Sequence, residues 1–182
     1  MANLCSTSYI LVGDKDKVNE LRSVLQKLKD TKRTRVPLEP RWIGYIVQDV
    51  LGKDWRDIYC RGEWDFSSKD VKEGELHFYT DTAWNACNEV FQKLAEKFGL
   101  EMYYVTEELG FNIYETNDST HTYFPDEIIV TSDEETEYIN CRKEVMDYVN
   151  RHLGTDFNDW DTMLSDEKVD GVFCIHEMEV VD

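Results

Sequence analysis

Residues 74–106 read GELHFYTDTAWNACNEVFQKLAEKFGLEMYYVT, and the change of period inside this stretch decides the fold. Through Thr80 the apolar Leu76 and Phe78 alternate with His77 and Tyr79, the period of a half-buried strand. Beyond it, Trp84, Cys87, Phe91, Leu94 and Phe98 recur at helical spacing and share one stripe. Gly99 is a stop signal, and Leu100–Thr106 alternates again. The spacing therefore predicts strand, helix from Thr82 to Phe98, and strand. Cys87 falls on the core stripe in the second turn. A helix N-terminus activates a thiol only in the first turn and where reagents reach it, so Cys87 reads as a small buried hydrophobe.

Working towards the N-terminus, Leu4–Val12 alternates weakly and reads as a first strand ended by Gly13-Asp14. A helix follows with Val18, Leu21, Val24, Leu25 and Leu28 on one face. The connector KLKDTKRTRVPLEPR holds six of the 20 basic residues and two of the three prolines, the composition of an exposed loop. Trp42–Leu51 has the period of a short helix with Gly52 behind it. Asp57–Phe66 and Gly74–Thr80 read as strands joined by the polar turn SSKDVKEG.

Towards the C-terminus, Gly110–Glu115 pairs with Leu100–Thr106 as a hairpin. TYFPDEIIVTS is extended, and Ser132 with Glu135 three residues on is a capping-box signature for a third helix ending at Gly154. The turn TDFNDWDTMLSDE then leads to a final strand, Gly171–Val181. The first part follows a split βαβ order with a short helix inserted in the first crossover. The expected class is α+β, ferredoxin-like, with the remaining β-β-α-β extending an antiparallel-rich sheet. The expected organisation is a single domain over 1–182, with the core in 1–106 and an acidic extension in 107–182.

Composition narrows the function classes. Hydrophobic residues at 41% exclude a disordered chain, and no apolar run reaches the roughly 20 residues of a membrane span. The first residues lack a basic segment before a short apolar run, so they read as a strand rather than a secretion signal. Five scattered cysteines without a CxxC pair fit free thiols in a reducing cytoplasm. The net charge of −18 is one-sided: residues 1–100 balance 16 basic with 16 acidic residues, while 101–182 hold four and 22. Such a field repels nucleic acid and anionic membranes and attracts basic partners.

Catalytic and metal signatures are sparse. There is no P-loop, GxGxxG, GxSxG or HExxH, so the chain reads as non-enzymatic and without a cofactor. Cys174 and His176 share a strand face at i and i+2, the start of a metal-ligand spacing, but no second Cys/His pair completes it. DFNDWD departs from the calcium-loop pattern at Trp160 and Asp161, so no metal site is assigned. His77, Tyr79, Tyr103 and Tyr114 run out of phase with Leu76, Phe78, Met102, Tyr104, Phe111 and Ile113. They are the candidate lining of an open sheet face for the competing reading, a small-ligand binder or an enzyme. The same face is an alternative surface for a homodimer. Strands 100–115 carry no Lys or Arg, so that face does not match a base-stacking RNA platform. Lys27, Lys29, Lys32, Arg33, Arg35 and Arg41 form the one patch suited to phosphate, opposed by the distal acidic field.

Several segments together resemble a known family: MANLCSTSYILVGDKDKV at 1–18, WIGYIVQDVLGKDW with YCRGEW, LHFYTDTAW, and EKFGLEMYYVTEELGFNIYETND at 96–118. They are similar to the YubB-like ferredoxin-fold proteins of plasmids, phages and integrative elements, in their Bacteroidetes-type form. The resemblance covers most of 1–130 and the closing VFCIHEMEVVD, and rests on Gly62, Trp64, Trp84, Gly99 and Gly110. It departs after Trp84, where members often carry prolines and this chain has Asn85-Ala86-Cys87. The resemblance implies a ferredoxin-like fold and a mobile-element setting, and carries over no catalytic residue. Combined with the charge, it suggests a protein whose acidic C-terminal half binds a basic, normally DNA-binding, protein surface. Glu134, Glu135, Glu137, Asp156, Asp159 and Asp161 are the candidate contact residues.

Overall fold

The computed structural model describes residues 3–31, 41–66, 72–108, 110–133 and 135–181. The chain divides into two compact units, 1–113 and 114–182, where the sequence reading has one domain with a boundary at 106/107.

In the first unit, β1 (Leu4–Val12) has the bounds its alternation predicts, with Cys5, Thr7, Tyr9 and Leu11 buried on one face. Asp14 ends the turn after it by accepting the backbone N–H groups of Asp16 and Lys17, which starts α1 (Lys15–Asp30). Val18, Leu21, Leu25 and Leu28 form its buried stripe. A single π-helical turn at Ile46–Val50, followed by Gly52 at φ +69°, stands where a short helix is expected. Next come β2 (Gly62–Asp65), β3 (Glu75–Ala83), α2 (Asn88–Phe98) and β4 (Glu101–Glu108). The strand order is β2-β3-β1-β4 with every neighbouring pair antiparallel, the ferredoxin-like split βαβ arrangement. The core joins the sheet face of Tyr9, Leu76 and Phe78 to Phe91 and Leu94 of α2.

Two local expectations are corrected here. The segment 57–66 is a strand only over Gly62–Asp65; Ile58 and Cys60 are buried from an irregular segment instead. The helix expected from Thr82 begins at Asn88, because β3 keeps its ladder with β1 as far as Leu4↔Ala83. Thr82 is held by its hydroxyl, which donates to the carbonyls of Cys5 and Asn85. Trp84 then takes a left-handed φ of +73° and turns outward, 39% exposed, so it is not a core residue. The helix ends as expected: Gly99, at φ +66°, donates its N–H to the carbonyls of Ala95 and Glu96.

The second unit has its own sheet, with β6 (Ile128–Thr131) between β7 (Thr136–Ile139) and β8 (Cys174–Glu177), all antiparallel. A further pair of strands, β5 (Ile113–Thr116) and β9 (Glu179–Val180), is parallel, with Glu115 opposite Glu179. Helix α3 (Arg142–Leu153) and two short helices, α4 (Trp160–Leu164) and α5 (Glu167–Asp170), complete it. Ile128, Val130, Val145, Tyr148, Val149, Met163, Val169 and Phe173 make its core. Ser132 and Glu135 do not cap α3. Glu135 N–H donates to Ser132 Oγ and Ser132 N–H to the Glu135 carbonyl, closing the β6–β7 turn. The spacing that makes a capping box also closes a tight turn, and Thr136–Ile139 continues as a strand paired with β6.

Candidate functional site

The open face of the first unit's sheet is built by the residues that alternate outward from the core. Register sets His77 and Tyr103 on either side of Ile10, and Tyr79 and Val105 on either side of Ser8. His77 Nε2 lies 2.7 Å from Glu75 Oε2, and the Tyr103 hydroxyl donates to Glu101 at 2.9 Å. Each aromatic side chain is thus tied to the carboxylate two residues before it on the same strand face. Tyr79 is 50% exposed, and the Ser6 hydroxyl donates to Asp81 at 2.8 Å further along. The arrangement offers hydrogen-bonding tips around a small apolar centre at Ile10.

Tyr114 does not belong to that set. It is buried, 6% exposed, and its ring stacks on His176 at 4.4 Å within the second unit. Phe111, expected inward, is 63% exposed. Alternation counted through this segment fails because Asn112 adopts a left-handed φ of +54° and β5 starts only at Ile113.

The candidate acidic residues are spread along the second unit. Glu135 accepts the Tyr148 hydroxyl at 2.9 Å and lies 3.8 Å from His152. Burial, and then Glu135, push the Tyr148 phenol up to about 12. Glu137 stands on β7 opposite Val130. Asp159 caps α4, accepting the N–H and hydroxyl of Thr162, and those bonds hold its carboxyl below the ordinary range. Asp156 and Asp161 are exposed. Glu134 lies outside the described residues. Glu135 and Asp161 border α3 at different turns, the first beside Tyr148 and His152, the second electrostatically coupled to Arg142.

Of the basic patch, Lys32, Arg33 and Arg35 lie outside the described residues. Lys29 and Arg41 both pair with Asp65, at 2.5 and 2.9 Å. Burial would raise the Asp65 carboxyl, but those two cations and the Phe66 N–H together pull it down.

Cys87 is a core thiol, 1% exposed, and burial pushes it up to about 12, with Cys60 and Cys5 adding to the rise. Three buried thiols distant in sequence therefore lie near enough to interact, which no spacing announces. Replacing Cys87 by serine should cost about 1–3 kcal/mol, because the hydroxyl enters an apolar site. A lowered urea midpoint checks this, as does iodoacetamide labelling of Cys87 only in unfolded protein.

The sequence model of the ferredoxin-like domain in Api92-like proteins matches residues 63–142. Neither the curated proteins nor the solved structures give a match. No helix among the described residues is long and apolar enough to cross a membrane. The matched segment runs from β2 through β7 to the first residue of α3, and the strand order around it agrees with the description. The chain is a ferredoxin-like α+β protein.

Proposed function

We propose that this is a non-enzymatic binding protein whose second unit docks on a basic protein surface. One observation carries the reading. Residues 114–182 hold 19 acidic and four basic residues, a net −15, whereas 1–113 hold 19 and 16, a net −3. The step in charge follows the boundary between units, so the acidic field sits on a scaffold with its own core. A field of this size speeds encounter with a cationic partner and is weakened by salt, the Debye length being about 8 Å at physiological ionic strength. A surface that ordinarily holds DNA phosphates matches such a field. Modulation of a DNA-binding protein, in the mobile-element setting of YubB-like proteins, is the fuller form of the reading.

Immobilised full-length protein should capture basic DNA-binding proteins from lysate, and duplex DNA should compete them off. Neutralising Glu135, Glu137, Asp156 and Asp161 together should weaken capture about tenfold and flatten its salt dependence. Asp159 is left in place because it caps α4. Captured proteins with no basic bias, or capture undiminished by the fourfold variant, sink the proposal.

A small-ligand site on the open sheet face is the second reading, favoured by the paired Glu75–His77 and Glu101–Tyr103 contacts around Ile10.

A further inference from the structure

We infer that Cys174 is a modification site, a thiol activated by His176 for exchange with small cationic or neutral disulfides. β8 is an edge strand of the second unit's sheet, so its residues 174 and 176 project from one face. Cys174 Sγ lies 2.9 Å from His176 Nε2, within reach of proton transfer. The imidazole is held from two directions: its backbone is in register with Ile129 of β6, and its ring stacks on buried Tyr114 at 21°. Partial burial keeps its pKa below the ordinary histidine value, so at neutral pH it is in the form that accepts a proton.

Access separates this thiol from the others. Cys5, Cys60 and Cys87 are buried and Cys141 is half-buried, while Cys174 is exposed. It also lines a cavity of about 560 Å3 together with Leu164, Val172 and the carboxylates Asp133 and Asp170. The apolar part of that wall suits the carbon arms of a small disulfide. The carboxylates, within a unit of net −15, favour a cationic reagent and repel an anionic one. Among the described residues no group of three or more His, Cys, Asp or Glu is placed to hold a metal ion, so the pair is short of a metal-ligand set.

The chemistry balances without a cofactor. His176 Nε2 takes the Sγ proton, and the thiolate attacks one sulfur of the disulfide RSSR. The S–S bond breaks as the new Sγ–S bond forms, and the leaving RS⁻ takes the proton from the imidazolium. The products are the Cys174–SR mixed disulfide and RSH: Cys174 is oxidised and the departing sulfur reduced.

The test uses full-length protein at pH 7 with cystamine as the cationic disulfide and 3,3′-dithiodipropionate as the anionic one, adducts being mapped by mass spectrometry. Cystamine should modify Cys174 about tenfold faster than Cys141, and dithiodipropionate about tenfold more slowly than cystamine does, a gap that high salt narrows. His176→Asn should slow the Cys174 reaction about tenfold and leave Cys141 unmoved. Modification of Cys141 first, or an unchanged Cys174 rate in His176→Asn, overturns the inference. If that variant and His176→Gln both melt early, the order of modification in the unaltered protein decides alone.

Discussion

Replacing Asp118 by alanine should remove about 4 kcal/mol of stability from the second unit, because three donors of one loop lose their shared, buried acceptor at once. Asp118 is 0% exposed. Its Oδ2 accepts the backbone N–H groups of Tyr123 at 2.6 Å and Phe124 at 3.0 Å, and its Oδ1 the Thr120 hydroxyl at 2.9 Å. These bonds close the 118–124 loop, in which His121 holds a left-handed φ of +51°. Asp118→Asn separates charge from geometry. Its carbonyl oxygen can accept the two N–H groups and its amide can face Thr120, so the expected cost is about 1 kcal/mol. Slowed or quickened exchange of the Tyr123 and Phe124 amides reads the loop directly, and a urea midpoint reads the unit.

Asp118 also sets an acid limit. Burial would raise its carboxyl, but the bonds from Tyr123, Phe124 and Thr120 outweigh burial and hold it low. A depressed folded-state value means the stabilisation is fully present above the unfolded aspartate value of about 4 and is lost as pH falls through the folded value. The asparagine variant should therefore lose less stability on acidification than the unaltered protein. An identical acid transition in both would show that Asp118 is not the group responsible.

The second large effect is expected at Tyr9, where alanine should cost the first unit about 4 kcal/mol. The Tyr9 ring stacks on Phe78 at 5.0 Å and 10° and meets Phe91 at 4.5 Å, so alanine opens a cavity between the middle of the sheet and α2. Tyr9→Phe keeps the rings and removes only the hydroxyl that donates to Asn88 Oδ1 at 2.7 Å, for about 1 kcal/mol. Burial raises the Tyr9 phenol well above its ordinary value. The sign is that of an acid kept neutral: stability is complete below the unfolded tyrosine value of about 10 and falls as pH climbs past it. Tyr9→Phe should accordingly be the less alkali-sensitive protein. Equal urea midpoints for Tyr9→Ala and Tyr9→Phe would contradict the packing account.

How far the sequence can be read depends on whether local period and tertiary pairing agree. They agree in β1, whose bounds match its alternation, and in α1, whose stripe at Val18, Leu21, Leu25 and Leu28 is the buried one. They disagree at 81–87. There the helical spacing of Trp84 and Cys87 is overruled by the ladder to β1, which keeps Thr82 and Ala83 extended. The open face was legible for His77, Tyr79 and Tyr103, since one unbroken strand carries each. It was not legible for Tyr114, since a left-handed residue at Asn112 resets the phase.

Cysteine makes the same division for chemistry. Cys87 is buried as its apolar character suggests, but from the residue that precedes α2 and not from the helix stripe that the spacing put it on. The contact of Cys174 with His176 follows from i, i+2 geometry, but its separation of 2.9 Å and the stack on Tyr114 depend on residues far apart in the chain.

By itself the sequence determined the ferredoxin-like order of elements, the glycine stops at Gly99 and Gly154, and the concentration of negative charge in the second half, because each is a property of neighbours or of composition. The tertiary structure alone decided that this charge belongs to a unit with its own core, where β3 ends, that Ser132 and Glu135 close a turn, and which thiol is both exposed and paired with a base. These outcomes depend on hydrogen-bonded ladders and packing between distant residues. Such contacts outweigh local propensities of a few tenths of a kcal/mol to about 1 kcal/mol per residue.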